Sequence, residues 1–335
     1  MARSSDAPSS DAPAVAIDLG GTKALVARAD GTVRPTRIPT AGMPDGATLM
    51  DELARAVLRL TDGRSPRTLA LATAGTLDLE TGTIVHAANL PFRRTPVVEA
   101  LGDRLGCRVI LVGDGPAAAV GELAVGGREA IRHGLYITVS TGIGMGMLLD
   151  GRIYVGDHGS GGELGHMPIA LVDRELCACG RRGCLEAYAS GTGIARRARG
   201  LVEAGATGEL AKIAALRPLE ARDVFAAAEA GDRSARGLVD DALEMLAVAI
   251  SGVFAVLRPQ LIVMGGGIMA DGSLLPGLRS RVEARLRPDV PDVVRLIQSA
   301  VHGERSVLEG ARAIARGEPA AVRMGVSLGW GAADV

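Results

Sequence analysis

Cys177, Cys179 and Cys184 lie together in CACGRRGC, and His166 stands eleven residues before the first of them in GGELGHMPI. Three thiolates and one imidazole make up the donor set of a closed, tetrahedral Zn²⁺ site. Gly180 and Gly183 allow the intervening loop to fold back on an ion. The plainer alternative is three incidental thiols in a loop, although reduced cysteines seldom cluster. With four protein ligands no coordination position stays open, so such an ion would shape a neighbouring site rather than perform hydrolysis. Cys107 stands alone at the entry to a strand and reads as a small buried hydrophobe.

Glycine turns are the second feature with chemical consequences. DLGGTK (18–23) and STGIGMG (140–146) could each present successive backbone N–H groups to an anion such as a phosphate. A tight hairpin turn accounts for Gly20-Gly21 equally well. A third turn, GGGIMA (265–270), follows a strand, but the stretch after it, LLPGLRSRVEARL, reads as helix and lacks the acidic residue a dinucleotide fingerprint requires. No GxxxxGK[ST] motif occurs.

The elements that position these turns alternate between strand and helix. Val15–Asp18 and Ala24–Ala29 flank the first glycine turn as a β-hairpin, and residues 135–156 form a second hairpin around STGIG. Strands are expected at Thr68–Ala72, Thr83–His86, Arg108–Val112 and Leu261–Met264. Helices are expected at roughly 47–61, 95–105 and 116–125, with apolar spacing at Leu238, Ala242, Leu246, Ile250, Val253 and Leu257 marking another. Strand, glycine turn, strand therefore recurs in each half, which implies two α/β domains with mixed sheets. At 335 residues the chain exceeds what a single core usually serves.

Composition excludes several classes. The net charge is −1, from 37 basic and 38 acidic residues, which argues against a nucleic-acid footprint or a polybasic membrane anchor. Aromatics are 2%, too few for base-stacking platforms. Residues 1–13 are mainly Ser, Ala, Pro and Asp with no signal-peptide core, and 317–335 reads as a second tail. The most apolar run, Met245–Leu257, is 13 residues, too short to span a bilayer, and reads as a buried helix. A cytoplasmic protein with reduced cysteines is expected.

In this order, DLGGTK, GELGH followed by CxCGxxGCLE, DVFAAAEAGD (223–232) and VMGGGI (263–268) make the chain resemble the ROK family of glucokinase-like sugar kinases and related repressors. The resemblance runs from residue 14 to about 316. It implies a two-domain α/β actin-like ATPase (ribonuclease H-like) fold with an interdomain active-site cleft. The N-terminal domain would take 14–125 plus a returning helix at 306–316, and the larger domain, with the zinc loop, 126–305. It further implies that Asp18, Gly20, Gly21, Thr22 and Lys23, with Thr141, Gly142 and Gly144, hold ATP phosphates. Gly265, Gly266 and Gly267 lie near the adenosine, and Mg²⁺ is held through Asp18, usually by way of water. Asn89, Glu163, His166 and Glu186 match sugar-binding positions, His166 also serving the zinc with Cys177, Cys179 and Cys184.

The same resemblance assigns the catalytic base to Asp114, in Gly113-Asp114-Gly115-Pro116-Ala117-Ala118-Ala119, where it would accept the proton of the attacking hydroxyl. A carboxylate near the start of a helix at Pro116 would alternatively serve only electrostatically. The family pattern has Asn where this chain has Gly113 and Pro116, and Gly-Trp where it has Phe92-Arg93. Glucose thereby gives ground to aminosugars and seven-carbon cyclitols as acceptors. The family's repressors carry a helix-turn-helix ahead of the first motif; here 17 residues precede Asp18. The expectation is a kinase, with a non-catalytic sugar-responsive regulator as the alternative, no nucleic-acid or membrane partner, and a homodimer by resemblance.

Overall fold

A computed structural model describes residues 11–87, 89–124, 128, 130–172, 175–286 and 292–318, without the side chains of 293 and 294. The two expected tails lie outside these residues, apart from 11–13, 317 and 318. The chain runs β1 (Val15–Leu19), β2 (Lys23–Arg28), β3 (Thr36–Pro39), α1 (Gly46–Leu60), β4 (Thr68–Thr73), β5 (Thr76–Asp78), β6 (Thr83–His86) and β7 (Arg93–Thr95). Next come α2 (Val97–Leu105), β8 (Arg108–Gly113), α3 (Asp114–Ala119), β9 (Gly134–Val139), β10 (Ile143–Leu149) and β11 (Arg152–Tyr154). Then follow α4 (Glu186–Ala189), α5 (Gly191–Glu203), α6 (Glu209–Ala214), α7 (Ala221–Glu229), α8 (Arg233–Leu257) and β12 (Leu261–Gly265). α9 (Leu275–Glu283), α10 (Val293–Leu296), β13 (Ile297–Ser299) and α11 (Ser306–Arg316) complete the order.

Two compact units result: the described residues of Met1–Arg132, Gly146–Gly162 and Arg305–Val335, and those of His133–Met145 and Glu163–Glu304. The stretch 146–162 thus groups with the first unit, not with 126–305, and the chain passes from one unit to the other within β10.

In the first unit the strand order is β3-β2-β1-β4-β8. β1 pairs antiparallel with β2 and parallel with β4, which is parallel to β8. β1 buries every residue but Asp18, as a central strand covered on both faces must. α1 is started by Asp45, whose carboxylate accepts the Thr48 N–H at 2.7 Å, and it buries Leu49, Met50, Leu53 and Val57. The other sheet, β11-β10-β9-β12-β13, repeats the plan, with β9, β12 and β13 parallel. The recurrence expected from the glycine turns is a repeated five-strand topology.

Several local expectations need correction. The hairpin at 135–156 is a three-strand meander, because Asp150-Gly151 turns the chain back into β11. The helix expected at 116–125 begins at Asp114, and its second half, Val120–Ala124, is a π turn. The run Met245–Leu257 is amphipathic rather than wholly buried: Leu246, Ala247, Ile250 and Phe254 face inward, while Val256 is 82% exposed. Phe254, not Val253, continues the buried stripe. Cys107 is buried, and burial pushes its thiol up to about 12. No helix among the described residues is long and apolar enough to cross a membrane.

Candidate active site and metal centre

In the first unit the carboxyl ends of the parallel strands β1, β4 and β8 lie side by side, where open α/β sheets place their ligands. Asp18 projects from β1 and Asp114 follows β8. Between Asp18 and β2 the Gly20-Gly21-Thr22 turn closes with a Gly20 N–H to Lys23 carbonyl bond of 3.0 Å. Hydroxyls pin it from two sides: Thr40 Oγ1, just after β3, donates to the Gly20 carbonyl at 2.7 Å, and Thr73 Oγ1, at the end of β4, to the Leu19 carbonyl at 3.0 Å. Asn89 lies against this turn, so closely that a β-carbon at Gly21 would stand 2.4 Å from that of Asn89. Thr40 and Thr73 carry no motif that singles them out in the sequence. Phe92 is fully buried against the start of α1, so its departure from the family pattern alters the core, not an exposed pocket wall.

The two carboxyls are electrostatically linked. Burial, then the nearby Asp114, pushes the Asp18 carboxyl up to about 6, against a smaller opposing pull from Lys23. Asp114 accepts the Gly115 N–H at 2.8 Å, yet burial holds its carboxyl above the ordinary carboxylate range. Two partly buried carboxylates that repel one another suit a site that receives a cation.

This geometry has a measurable cost. The unfolded Asp18 ionises near 3.8 and the folded one near 6, so stability present below 3.8 is lost as pH rises through 6. Asp18→Asn should therefore stabilise the protein without nucleotide or Mg²⁺ by up to ~3 kcal/mol above pH ~6, and hardly at all near pH ~4. Scanning calorimetry at both pH values checks this, and an unchanged Tm at pH ~8 would contradict it.

In the second unit the Ser140–Gly142 turn between β9 and β10 is held by α4 and α5. The Gly191 N–H donates to the Ser140 carbonyl at 2.7 Å and Thr192 Oγ1 to the Thr141 carbonyl at 2.9 Å. Glu186, the first residue of α4, accepts the Ile143 N–H at 2.9 Å, and a β-carbon at Gly142 would lie 2.6 Å from the same carboxylate oxygen. Glu186 thus braces the Thr141-Gly142-Gly144 segment, a role its sequence position did not suggest. Gly265, Gly266 and Gly267 lie at the end of β12 and just beyond it, Gly266 with a φ of +86°. A cavity of about 880 Å³ opens beside Thr141, Gly267 and Ile268, with Phe225 and Leu274 supplying apolar walls. Phe225 belongs to DVFAAAEAGD, a stretch whose composition gives no hint of a pocket.

The four candidate metal ligands converge. One donor atom from each of His166, Cys177, Cys179 and Cys184 lies within 4.8 Å of every other. His166 Nδ1 is 3.6 Å from Cys177 Sγ, and Cys179 Sγ is 3.8 Å from Cys184 Sγ. Those are the edges of a tetrahedron whose centre lies roughly 2.3 Å from sulfur and roughly 2.0–2.1 Å from nitrogen. Gly180 (φ +84°) and Gly183 (φ +86°) turn the loop, closed by the Cys177 N–H to Arg181 carbonyl bond of 2.8 Å. The backbone N–H of Arg181 pushes the Cys179 thiol down to about 6, while burial pushes Cys184 up to about 12. A cation among them would favour ionisation of all three thiols together. The other ring nitrogen of His166, Nε2, faces the Glu163 carboxylate at 3.8 Å, beyond hydrogen-bond reach.

Two ribonuclease H-like sheets, one ending in paired carboxyls and the other in a glycine turn beside a nucleoside-sized cavity, define the actin-like ATPase class. The chain belongs to the ROK family, whose model matches residues 14–318. It is 33% identical over 306 residues to a glucokinase of Halalkalibacterium halodurans, covering 88% of this chain and 93% of that protein. It is 34% identical over 308 residues to an N-acetylmannosamine kinase of Citrobacter koseri, covering 91% and 99%. The fold matches the crystal structure of a ROK family glucokinase from Streptomyces griseus in complex with glucose and AMPPNP, at a TM-score of 0.72 and 24% identity over 91% of this chain and 99% of that one.

Proposed function

We propose that this chain is an ATP-dependent kinase that phosphorylates the primary hydroxyl of a hexose or hexose-like polyol. The observation that carries the reading is the desolvated Asp114 carboxyl at the end of β8, electrostatically linked to Asp18, in a chain whose relatives include a glucokinase and an N-acetylmannosamine kinase. Asp114 accepts the proton of the acceptor hydroxyl while that oxygen attacks the γ-phosphorus in line and ADP departs. The turn that the Gly20 N–H closes, with Gly21, Thr22 and Lys23, receives phosphate oxygens, as do Thr141, Gly142 and Gly144. Phe225 and Ile268 cover the faces of the nucleoside. Mg²⁺, when bound, neutralises phosphate charge; Asp18 would hold it, and its repulsion with Asp114 would fall.

His166, Cys177, Cys179 and Cys184 would hold Zn²⁺, which when bound fixes the imidazole rather than taking part in transfer. Glu163 and Glu186 accept hydrogen bonds from acceptor hydroxyls, with Asn89 contributing an amide. An ADP-release screen across hexoses, aminosugars and cyclitols tests the reading; release above the ATPase background with at least one acceptor is expected, and none with any would refute it.

Acceptor choice is read from Gly113. Its φ and ψ of −69° and 151° suit any residue, but a β-carbon there would stand 3.3 Å from Pro116 Cδ. Gly113 and Pro116 therefore act as a pair: the ring occupies the edge of the space an asparagine would enter. Gly113→Asn should raise kcat/KM for glucose relative to the native acceptor by about two- to twelve-fold, the worth of one net hydrogen bond, and more cleanly with Pro116→Asn. Steady-state kinetics on both acceptors decide this. A parallel fall with unchanged acceptor ratios would defeat the role of Gly113 in selectivity.

A further inference from the structure

The glycine turn after β1 is held from behind by a residue that its motif does not contain. Thr40, just after β3, is only 1% exposed and reaches two carbonyls of the turn at once. Its Oγ1 donates to the Gly20 carbonyl at 2.7 Å, and its own N–H donates to the Thr22 carbonyl at 3.1 Å. In a trans peptide the carbonyl of one residue and the N–H of the next point in opposite directions. With the Gly20 and Thr22 carbonyls both drawn to Thr40, the Gly21 and Lys23 N–H groups are turned away from it. The Gly20 N–H, by contrast, is spent within the turn on the Lys23 carbonyl at 3.0 Å. A plain hairpin turn closes by giving the N–H of its fourth residue to the carbonyl of its first. Here Thr40 supplies a donor to that carbonyl from the end of another strand. Asn89 packs against Gly21 too closely to admit a β-carbon, so the tied peptides have little freedom to rotate.

We propose that Thr40 is a positioning residue for the phosphoryl donor: by holding two carbonyls of the turn, it presets the Gly21 and Lys23 N–H groups for donor phosphate oxygens. The inference rests on the reading of residues 20–23 as a phosphate turn. Amides aligned in advance make an anion-binding concavity, whereas a peptide that must reorient on binding gives back part of the contact's free energy. The hydroxyl is the decisive part of Thr40, since any residue but proline could supply its N–H. The second unit follows the same plan. There the Gly191 N–H takes the Ser140 carbonyl at 2.7 Å and Thr192 Oγ1 the Thr141 carbonyl at 2.9 Å, which turns the Thr141 and Gly142 N–H groups away from α5. Thr192 also lines the nucleotide cavity, so Thr40, buried behind its turn, is the cleaner of the two to test.

AMPPNP with Mg²⁺, and separately adenosine, are titrated by calorimetry into the full chain as wild type, Thr40→Ser, Thr40→Val and Thr40→Ala. Thr40→Ser keeps the hydroxyl and loses the methyl, Thr40→Val keeps the volume and loses the hydroxyl, and Thr40→Ala loses both. Affinity for AMPPNP should follow the hydroxyl: Thr40→Ser within about two-fold of wild type, Thr40→Val and Thr40→Ala weaker by about five-fold or more. Adenosine, which carries no phosphate, should bind all four proteins alike. Steady-state kinetics should divide the same way, with KM for ATP raised in Thr40→Val and Thr40→Ala and KM for the acceptor unmoved. An order set by volume, with Thr40→Val like wild type and the other two weak, would overturn the role of the hydroxyl. Equal AMPPNP affinities in all four proteins, or parallel losses of AMPPNP and adenosine, would overturn it as well. If Thr40→Val does not fold, Thr40→Ser against Thr40→Ala, which differ by the hydroxyl alone, gives the same decision. Wild type that binds AMPPNP no more tightly than adenosine would instead overturn the phosphate-turn reading itself, so the two failures are told apart.

Discussion

Replacing Asp114 with asparagine should lower kcat by about 10²–10⁴, the scale on which a general base contributes, while ATP binding stays nearly intact. The side chains are almost isosteric, and an asparagine oxygen could still accept the Gly115 N–H that Asp114 accepts at 2.8 Å. The lost function is thus proton acceptance alone. A pH profile sharpens the test. Burial raises the Asp114 carboxyl above its ordinary 3.8, so the base is lost as pH falls through that raised value. The acid limb of kcat/KM should accordingly lie above the usual carboxylate range in wild type and vanish in Asp114→Asn. Near-wild-type turnover in the variant, or a profile unaltered by it, would remove Asp114 from the chemistry.

The metal loop carries the second large effect. Cys177→Ser or Cys184→Ser should release zinc, lower Tm, and raise KM for the acceptor more than for ATP, with an expected loss of about 10–100-fold on the acceptor side. The asymmetry follows from position: the two sulfurs lie in the cluster with His166 Nδ1, and His166 Nε2 faces Glu163. Without an ion, the burial that pushes Cys184 up to about 12 leaves its thiol protonated, and the imidazole loses the contact that orients it. Elemental analysis of protein purified without chelator gives the first reading and steady-state kinetics the second. Absence of zinc in the wild type, or equal rises in both KM values, would contradict the assignment.

The convergence of the Cys and His side chains could be read from the sequence because their spacing is local. Three of the four cysteines fall within eight residues, and the one distant ligand, His166, is eleven residues away. The hairpin around Gly20-Gly21 was equally accessible, since a glycine pair between two apolar runs leaves little else for the chain to do. The short sheet of β5, β6 and β7 was only partly accessible, because β7 holds Arg93 and Arg94 and shows no apolar alternation. The π turn after α3 was hidden for a different reason. The residues Val120–Ala124 read as ordinary helix, and the distortion arises where α11 crosses, with the Ser306 carbonyl 2.4 Å from where a Gly121 β-carbon would stand. Glu186 marks the same boundary within the site: its motif position is plain, but its hold on the Ile143 N–H depends on a residue 43 positions away.

Transfer of the ATP γ-phosphoryl group to a sugar hydroxyl, with Asp114 as base, can be followed by phosphorus NMR of a mixture of ATP, Mg²⁺ and the best acceptor from the ADP-release screen. A new phosphomonoester resonance, coupled to the protons of a primary carbon, should grow in step with ADP and be absent in Asp114→Asn. Growth of inorganic phosphate in place of that resonance, or an equal yield of phosphomonoester from Asp114→Asn, would contradict it.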